Sequence, residues 1–125
     1  MKAHLHTARI SPKKMNLIAG MVRGKKVSDA LNQLKFTPKK AARLLFKAIS
    51  SAVANASNNF KQEPDKLYIK NIMVNKGIVY KRGLPVSRGR YHRILKRNTN
   101  LTVEVGLEEP EKVKSGKQDS EKRES

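Results

Sequence analysis

The chain contains no cysteine, which excludes a disulfide framework and any thiolate metal site and fits a reducing compartment. It also lacks an apolar run approaching the ~20 residues needed to cross a bilayer. Its first residues, Met1-Lys2-Ala3-His4-Leu5-His6, are too poor in apolar side chains to serve as a signal peptide. The protein is therefore expected to act where it is made, with no membrane partner.

Acidic residues are scarce as well. Ten Asp and Glu face 28 Lys and Arg in 125 residues, for a net charge of +18. Six of the acids lie from Gly106 onward, with only five of the basic residues, which leaves 23 basic residues before Gly106 opposed by Asp29, Glu63, Asp65 and Glu104 alone. Solubility needs far less charge than this. Such an imbalance calls for a phosphate-bearing partner and destabilises the isolated chain through self-repulsion.

The same scarcity argues against catalysis. His4, His6 and His92 and the four acids form no spacing suited to a nucleophile, a general base or a metal. His4 and His6 share one face of a short strand, but two ligands alone make a weak metal site. Neither residues 20–24 nor 83–89 follow a strand and open a helix as a phosphate-cradling loop must. No catalytic residue, metal or cofactor is expected, and the chain does not read as an enzyme.

What is present is concentrated in residues 66–105. Leu67, Ile69, Ile72 and Val74 mark one strand, and Leu101, Val103 and Val105 another. Between them stand eight basic residues (Lys76, Lys81, Arg82, Arg88, Arg90, Arg93, Lys96 and Arg97), no acid, and turn formers at Gly77, Gly83, Pro85 and Gly89. The pattern predicts one long hairpin with its tip in residues 83–89. Arms of roughly 16 residues at ~3.3 Å each would reach on the order of 50 Å, against a radius of gyration of ~13 Å for a body of about 100 residues. A bare two-stranded ribbon is marginal in water, so this one is expected to need a polyanionic surrounding.

Arg88 and Arg90 share one parity along the strand, Arg93 and Arg97 the other, which puts cations on both faces. A ribbon lying on a surface needs one charged face; two imply embedding. Guanidinium groups that fork onto phosphates, interleaved with the rings of Tyr80, Tyr91 and His92, suit folded RNA better than a DNA groove.

The remainder reads as a small body. Residues 2–9 form an edge strand, with Ala3, Leu5 and Thr7 on one face. Ser11-Pro12 caps and opens a helix with Met15, Ile18, Ala19 and Val22 inward and Gly24 as its stop. A second, two-turn helix capped by Ser28 buries Val27, Ala30, Leu31 and Leu34. Thr37-Pro38 repeats the cap-plus-proline signal and opens the longest helix, to about Asn58. Its stripe comprises Ala41, Leu45, Ala48, Ile49, Ala52, Val53, Ala56 and Phe60. Lys39, Lys40, Arg43 and Lys47 crowd the N-terminal half of this helix, where cations oppose the dipole; such a conflict points to phosphate contacts. Residues 1–105 are expected to form a single RNA-binding domain that includes the hairpin. Residues 106–125, rich in charge and without aromatic side chains, read as a disordered tail.

Several motifs occur together and in order: Ser11-Pro12-Lys13-Lys14, Asn16-Leu17-Ile18-Ala19, Arg23-Gly24-Lys25-Lys26-Val27-Ser28, Lys39-Lys40-Ala41-Ala42, Ser51-Ala52-Val53-Ala54-Asn55-Ala56, Lys81-Arg82, Gly89-Arg90 and Arg93-Ile94-Leu95-Lys96-Arg97. In this the chain closely resembles the bacterial ribosomal protein family conventionally numbered twenty-second in the large subunit. The resemblance implies an α+β fold, three helices packed on a small antiparallel sheet with one long protruding β-hairpin. It also implies a structural role in the cytoplasmic large ribosomal subunit, at the mouth of the polypeptide exit tunnel, with a part in subunit assembly.

The partners so implied are large-subunit ribosomal RNA, neighbouring ribosomal proteins and the nascent polypeptide, with no homo-oligomer. The RNA-binding set would be Arg9, Lys13, Lys14, Arg23, Lys25, Lys26, Lys39, Lys40, Arg43, Lys76, Lys81, Arg82, Arg88, Arg90, Arg93, Lys96 and Arg97. The tip lining the tunnel would be Tyr80, Lys81, Arg82, Gly83, Leu84, Pro85, Val86, Ser87, Arg88, Gly89 and Arg90. Two places depart from the family pattern. Asn75-Lys76-Gly77-Ile78 stands where relatives carry an acid or two and then Gly-Pro, and Val86-Ser87 replaces a common Arg-Ala. An RNA-binding regulator or chaperone acting off the ribosome is the alternative reading.

Overall fold

In the computed structural model, which describes residues 1–107, the elements run β1 (Lys2–Ala8), α1 (Pro12–Val22), α2 (Val27–Phe36), α3 (Lys40–Phe60), β2 (Tyr68–Lys76), β3 (Tyr80–Pro85), β4 (Tyr91–Lys96) and β5 (Thr99–Gly106). They build an α+β architecture. β5 lies between β1 and β2 in a three-stranded antiparallel sheet, and β3 and β4 form a separate two-stranded ribbon. The tail expected over residues 106–125 falls outside the described residues, except for Gly106, which ends β5 opposite Tyr68, and Leu107.

α3 is the core helix, as its periodicity predicts. Ala41, Ala42, Leu45, Ala48, Ile49, Ala52 and Ala56 are buried along one stripe. The alanines let the helix come close to β1 and β5, while Leu45 and Ile49 fill the space between; each such buried side chain contributes about 2 kcal/mol. β5 alternates strictly, with Thr99, Leu101, Val103 and Val105 buried, as a strand with one covered face must. α1 packs on β2 through Met15, Ile18, Ala19 and Val22.

Several boundaries differ from expectation for identifiable reasons. The Ser11 hydroxyl caps α1 as expected, accepting from the Lys14 amide at 3.4 Å, and Gly24 stops it with φ +75°. Ser28, however, lies inside α2: Lys26 is the N-cap, and the Val27 amide donates to Leu67 O at 3.0 Å, so pairing with the start of β2 sets the helix origin. Thr37 closes α2 instead of opening α3, because its hydroxyl donates to Gln33 O at 2.7 Å. α3 then starts at Lys40 with no side-chain cap and no acid in its first turn.

Phe60 is 59% exposed. The helix terminates beside it at Lys61 in the left-handed conformation (φ +50°), so this ring never reaches the sheet. Leu31 and Val53 are only half-buried. On β1 the alternation holds for Ala3 and Leu5. A bulge at Thr7 (φ +56°) then turns Thr7 outward and Ala8 inward.

The hairpin is not one uninterrupted ladder. The body sheet holds β2 and β5 as far as the pair Lys76 and Thr99, and a fresh ladder begins at the pair Tyr80 and Lys96. The freely projecting ribbon therefore has six-residue arms, about 20 Å long, well short of the arms that the unbroken reading implies. Gly83 sits within β3 opposite Arg93 rather than in the turn. The reversal occurs over residues 86–90, where the Val86 amide donates to Arg90 O at 2.9 Å. Arg88 (φ +61°) and Gly89 (φ +69°) occupy consecutive left-handed positions there.

Candidate nucleic-acid interface

Every residue of β3 and β4 is exposed. A strand pair in a folded protein normally buries one face, and this ribbon buries neither. Register assigns its side chains to faces. Tyr80, Arg82, Leu84, His92, Ile94 and Lys96 share one; Lys81, Gly83, Pro85, Tyr91, Arg93 and Leu95 share the other. Cations thus stand on both faces, as the sequence predicts, though of the four arginines whose parity predicts it only Arg93 lies in a strand. Arg88 and Arg90 belong to the turn and Arg97 lies beyond β4, so strand parity does not govern them. Arg82 and Lys96 charge one face, and Lys81 and Arg93 the other.

The rings in the ribbon are held by local contacts. The Arg82 guanidinium lies over the Tyr80 ring at 5.8 Å. The Tyr91 ring covers the backbone of Gly83, where an added Cβ would come within 3.3 Å of Tyr91 Cδ1.

At its base the ribbon meets the body in a cleft of about 970 Å³. Its cations are Arg9, Lys14, Lys39, Lys40, Arg82, Lys96 and Arg97, with no carboxylate among the lining residues; Ile10, Leu17, Ile18, Ala41, Leu95 and Tyr80 supply the apolar part. The starts of α1 and α3 both open here, adding the partial positive charge of two helix N-termini. Lys40 Nζ donates to Arg9 O at 3.0 Å, which ties the α3 start to the segment after β1.

Three stretches far apart in sequence, Arg9 with Lys14, Lys39 with Lys40, and the ribbon cations Arg82, Lys96 and Arg97, are therefore brought together. Lys13, Arg43 and Lys76 are exposed outside this cleft, as are the ribbon cations Lys81, Arg88, Arg90 and Arg93. Arg23 works within the body: its Nε and Nη2 donate to Ile72 O at 3.2 and 2.9 Å, and Nη2 to Asn16 Oδ1 at 2.8 Å. Lys25 donates to Gln33 Oε1 at 2.7 Å, and Lys26 Nζ lies 5.9 Å from the centre of the Tyr68 ring.

Opposing charge is nearly absent. Among the described residues, Lys2 with Glu104 and Lys66 with Glu63 are the ion pairs, each 2.8 Å long. Hydrogen bonding to Lys2 holds the Glu104 carboxyl below the usual carboxylate range. In the exposed pair, Lys66 likewise lowers Glu63, and Glu63 raises Lys66. No group of three or more potential metal ligands occurs among the described residues, and no helix among them is long and apolar enough to cross a membrane.

Sequence reasoning missed Leu17 and the residues that mount the ribbon. Leu17 is 74% exposed and lies off the buried stripe of α1; a large apolar residue on the polar face of a helix was the available signal. Asn98, Thr99 and Asn100 each bind a different segment. Asn98 Nδ2 donates to Ile78 O at 2.8 Å, Thr99 Oγ1 to Ile10 O at 2.6 Å, and Asn100 Oδ1 accepts from the Thr7 amide at 3.0 Å.

A basic cleft continuous with an unburied, doubly basic ribbon is the architecture of a protein assembled into nucleic acid, and comparison with known proteins gives that architecture a family. Residues 3–106 match the model of ribosomal protein L22p/L17e. The chain belongs to this ribosomal protein family. It is 49% identical over 108 residues to large ribosomal subunit protein uL22 of Fusobacterium nucleatum subsp. nucleatum, covering 86% of this chain and 97% of that protein. It is 48% identical over 104 residues to the protein of the same name from Herpetosiphon aurantiacus, covering 83% and 92%. Membership of L22p/L17e disfavours a regulator acting off the ribosome.

Proposed function

We propose that this L22p/L17e protein is a structural, non-enzymatic constituent of the large ribosomal subunit in the cytoplasm. It binds ribosomal RNA with its body and threads its ribbon through that RNA. The observation that carries this reading is the ribbon itself, twelve exposed residues with cations on both faces and no acid. RNA phosphates supply the counter-charge that the body lacks, and exposed bases supply partners for Tyr80, Tyr91 and His92.

The finer assignments follow from placement. Residues 1–105 act as one domain, since β2 and β5 belong at once to the body sheet and to the hairpin. The cations gathered at the cleft and along the ribbon, with Lys13, Lys25, Lys26, Arg43 and Lys76 on the surrounding surface, contact RNA. Arg23 serves mainly to join α1 to β2. Of residues 80–90, the tip from Leu84 to Arg90, closed by the turn at Ser87–Gly89, lines the nascent-chain tunnel, while Tyr80 to Gly83, nearer the cleft, lie among RNA. Val86 and Ser87 set the local shape of that wall and Arg88 its charge. Neighbouring ribosomal proteins complete the surroundings, and no homo-oligomer is needed. Sedimenting a cell lysate through sucrose tests the reading: the protein should travel almost entirely with large subunits, and a major free pool would contradict it.

A further inference from the structure

We propose that the cleft between the ribbon base and the starts of α1 and α3 receives an unstacked nucleotide from a single-stranded RNA segment, its base seated against Leu17 and Tyr80. The proposal rests on the RNA-binding reading above and adds the ligand's form and its seat. Helical RNA presents its phosphates on an outer surface and is satisfied by a flat basic patch. Here the cations instead rim a concavity of about 970 Å³, at the upper end of the ~300–1,000 Å³ typical of pockets that enclose small organic ligands. There is room for a nucleotide and its neighbouring phosphates.

The chemistry of the lining selects among occupants. Leu17 is 74% exposed and Tyr80 37%, and both line the cleft, where they leave an apolar seat open among the cations. Arg82 over the Tyr80 ring restrains that ring before anything binds. Lys14, Lys40 and Arg97 stand around the same space, placed to hold phosphates on either side of an inserted base. Base faces pack on rings and apolar side chains whatever the sequence, so the seat reads an exposed base rather than a particular one. An acidic peptide would meet the cations but would leave the apolar seat with little to fill it.

The test uses the full-length protein and a short single-stranded RNA carrying one 2-aminopurine, with an RNA duplex of the same length as competitor. Leu17→Ser and Tyr80→Ala change exposed side chains and should leave thermal stability unchanged. Each is expected to weaken the single strand about tenfold, to abolish the fluorescence change of the 2-aminopurine on binding, and to leave duplex affinity intact. Lys14→Gln should weaken both RNAs. If the wild-type protein binds the single strand and both variants bind it equally well with the same fluorescence change, the seat is wrong while RNA binding stands. Poly-glutamate displacing the strand at equal charge, with the same dependence on Leu17, would also overturn it. Failure of the wild-type protein to bind either RNA would instead remove the reading on which the proposal rests.

Discussion

Gly77 and Asn98 meet backbone to backbone where the hairpin leaves the body. The Gly77 amide donates to Asn98 O at 2.9 Å, and a Cβ built on Gly77 would lie 3.3 Å from both the carbonyl carbon and oxygen of Asn98. Asn98 is itself buried, and its amide reaches on to Ile78 O. This joint bridges the gap between the two ladders and sets the direction in which the ribbon departs.

Asn98→Ala is therefore expected to cost about 1–2 kcal/mol, because it removes a side-chain hydrogen bond and leaves the Ile78 carbonyl without that donor. Gly77→Val is expected to cost about 1 kcal/mol through crowding against backbone that cannot swing aside. Denaturant titration measures both. Loss of stability in neither would mean that the joint does not constrain the ribbon.

Arg23→Lys separates architecture from RNA binding. The charge stays, but the two donors that grip Ile72 O are lost, and a lysine cannot restore that fork. Stability should fall by about 1–2 kcal/mol, with the salt dependence of RNA binding unchanged. A shallower salt slope at unchanged stability would assign Arg23 to phosphate instead.

Replacing residues 80–96 with a two-residue Asn-Gly turn should leave the body folded. Its buried residues all lie outside that segment, and Val79 and Arg97 are already brought near each other by the Gly77 to Asn98 hydrogen bond. The thermal midpoint should move by no more than a few degrees, as expected when the affected side chains are exposed. Loss of the cooperative transition would show the ribbon to be part of the folding unit.

The Lys2 and Glu104 pair makes a directional pH prediction. Glu104 has a lowered folded-state pKa, so its contribution is present above the usual carboxylate range and is lost as the pH falls through that lowered value. Because Lys2 is 60% exposed, the effect should be below about 1 kcal/mol. Glu104→Gln should destabilise slightly at pH 7 and not at pH 2. An equal loss at both would point to packing in place of charge.

The sequence discloses what local rules control. The Ser11-Pro12 start of α1, the stop at Gly24 and the buried stripe of α3 can all be read directly, since capping and periodicity act within a few residues. What it conceals depends on distant partners. Ser28 looks like a cap until Leu67 pairs with Val27, and Gly83 looks like a turn until Tyr91 covers it. Phe60 satisfies the helical period but stands one turn too far along to reach the sheet. Of the candidate site, the basic ribbon and the lysines of α3 are evident as charge, and the family motifs are evident as order. The cleft is not, because Arg9, Lys14, Lys40 and Arg97 converge only in the folded chain, through the packing of α1 on α3, the Lys40 to Arg9 hydrogen bond and the Asn98, Thr99 and Asn100 joint.

The central claim, that RNA encloses the ribbon on both faces, is tested most directly by amine labelling of Lys81 and Lys96, read by mass spectrometry in the free protein and in intact large subunits. Register places these lysines on opposite faces, and both are exposed in the free chain. We expect both to react in the free protein and both to be protected in the subunit. Protection of only one would mean that the ribbon lies on a surface, and protection of neither that it projects into solvent.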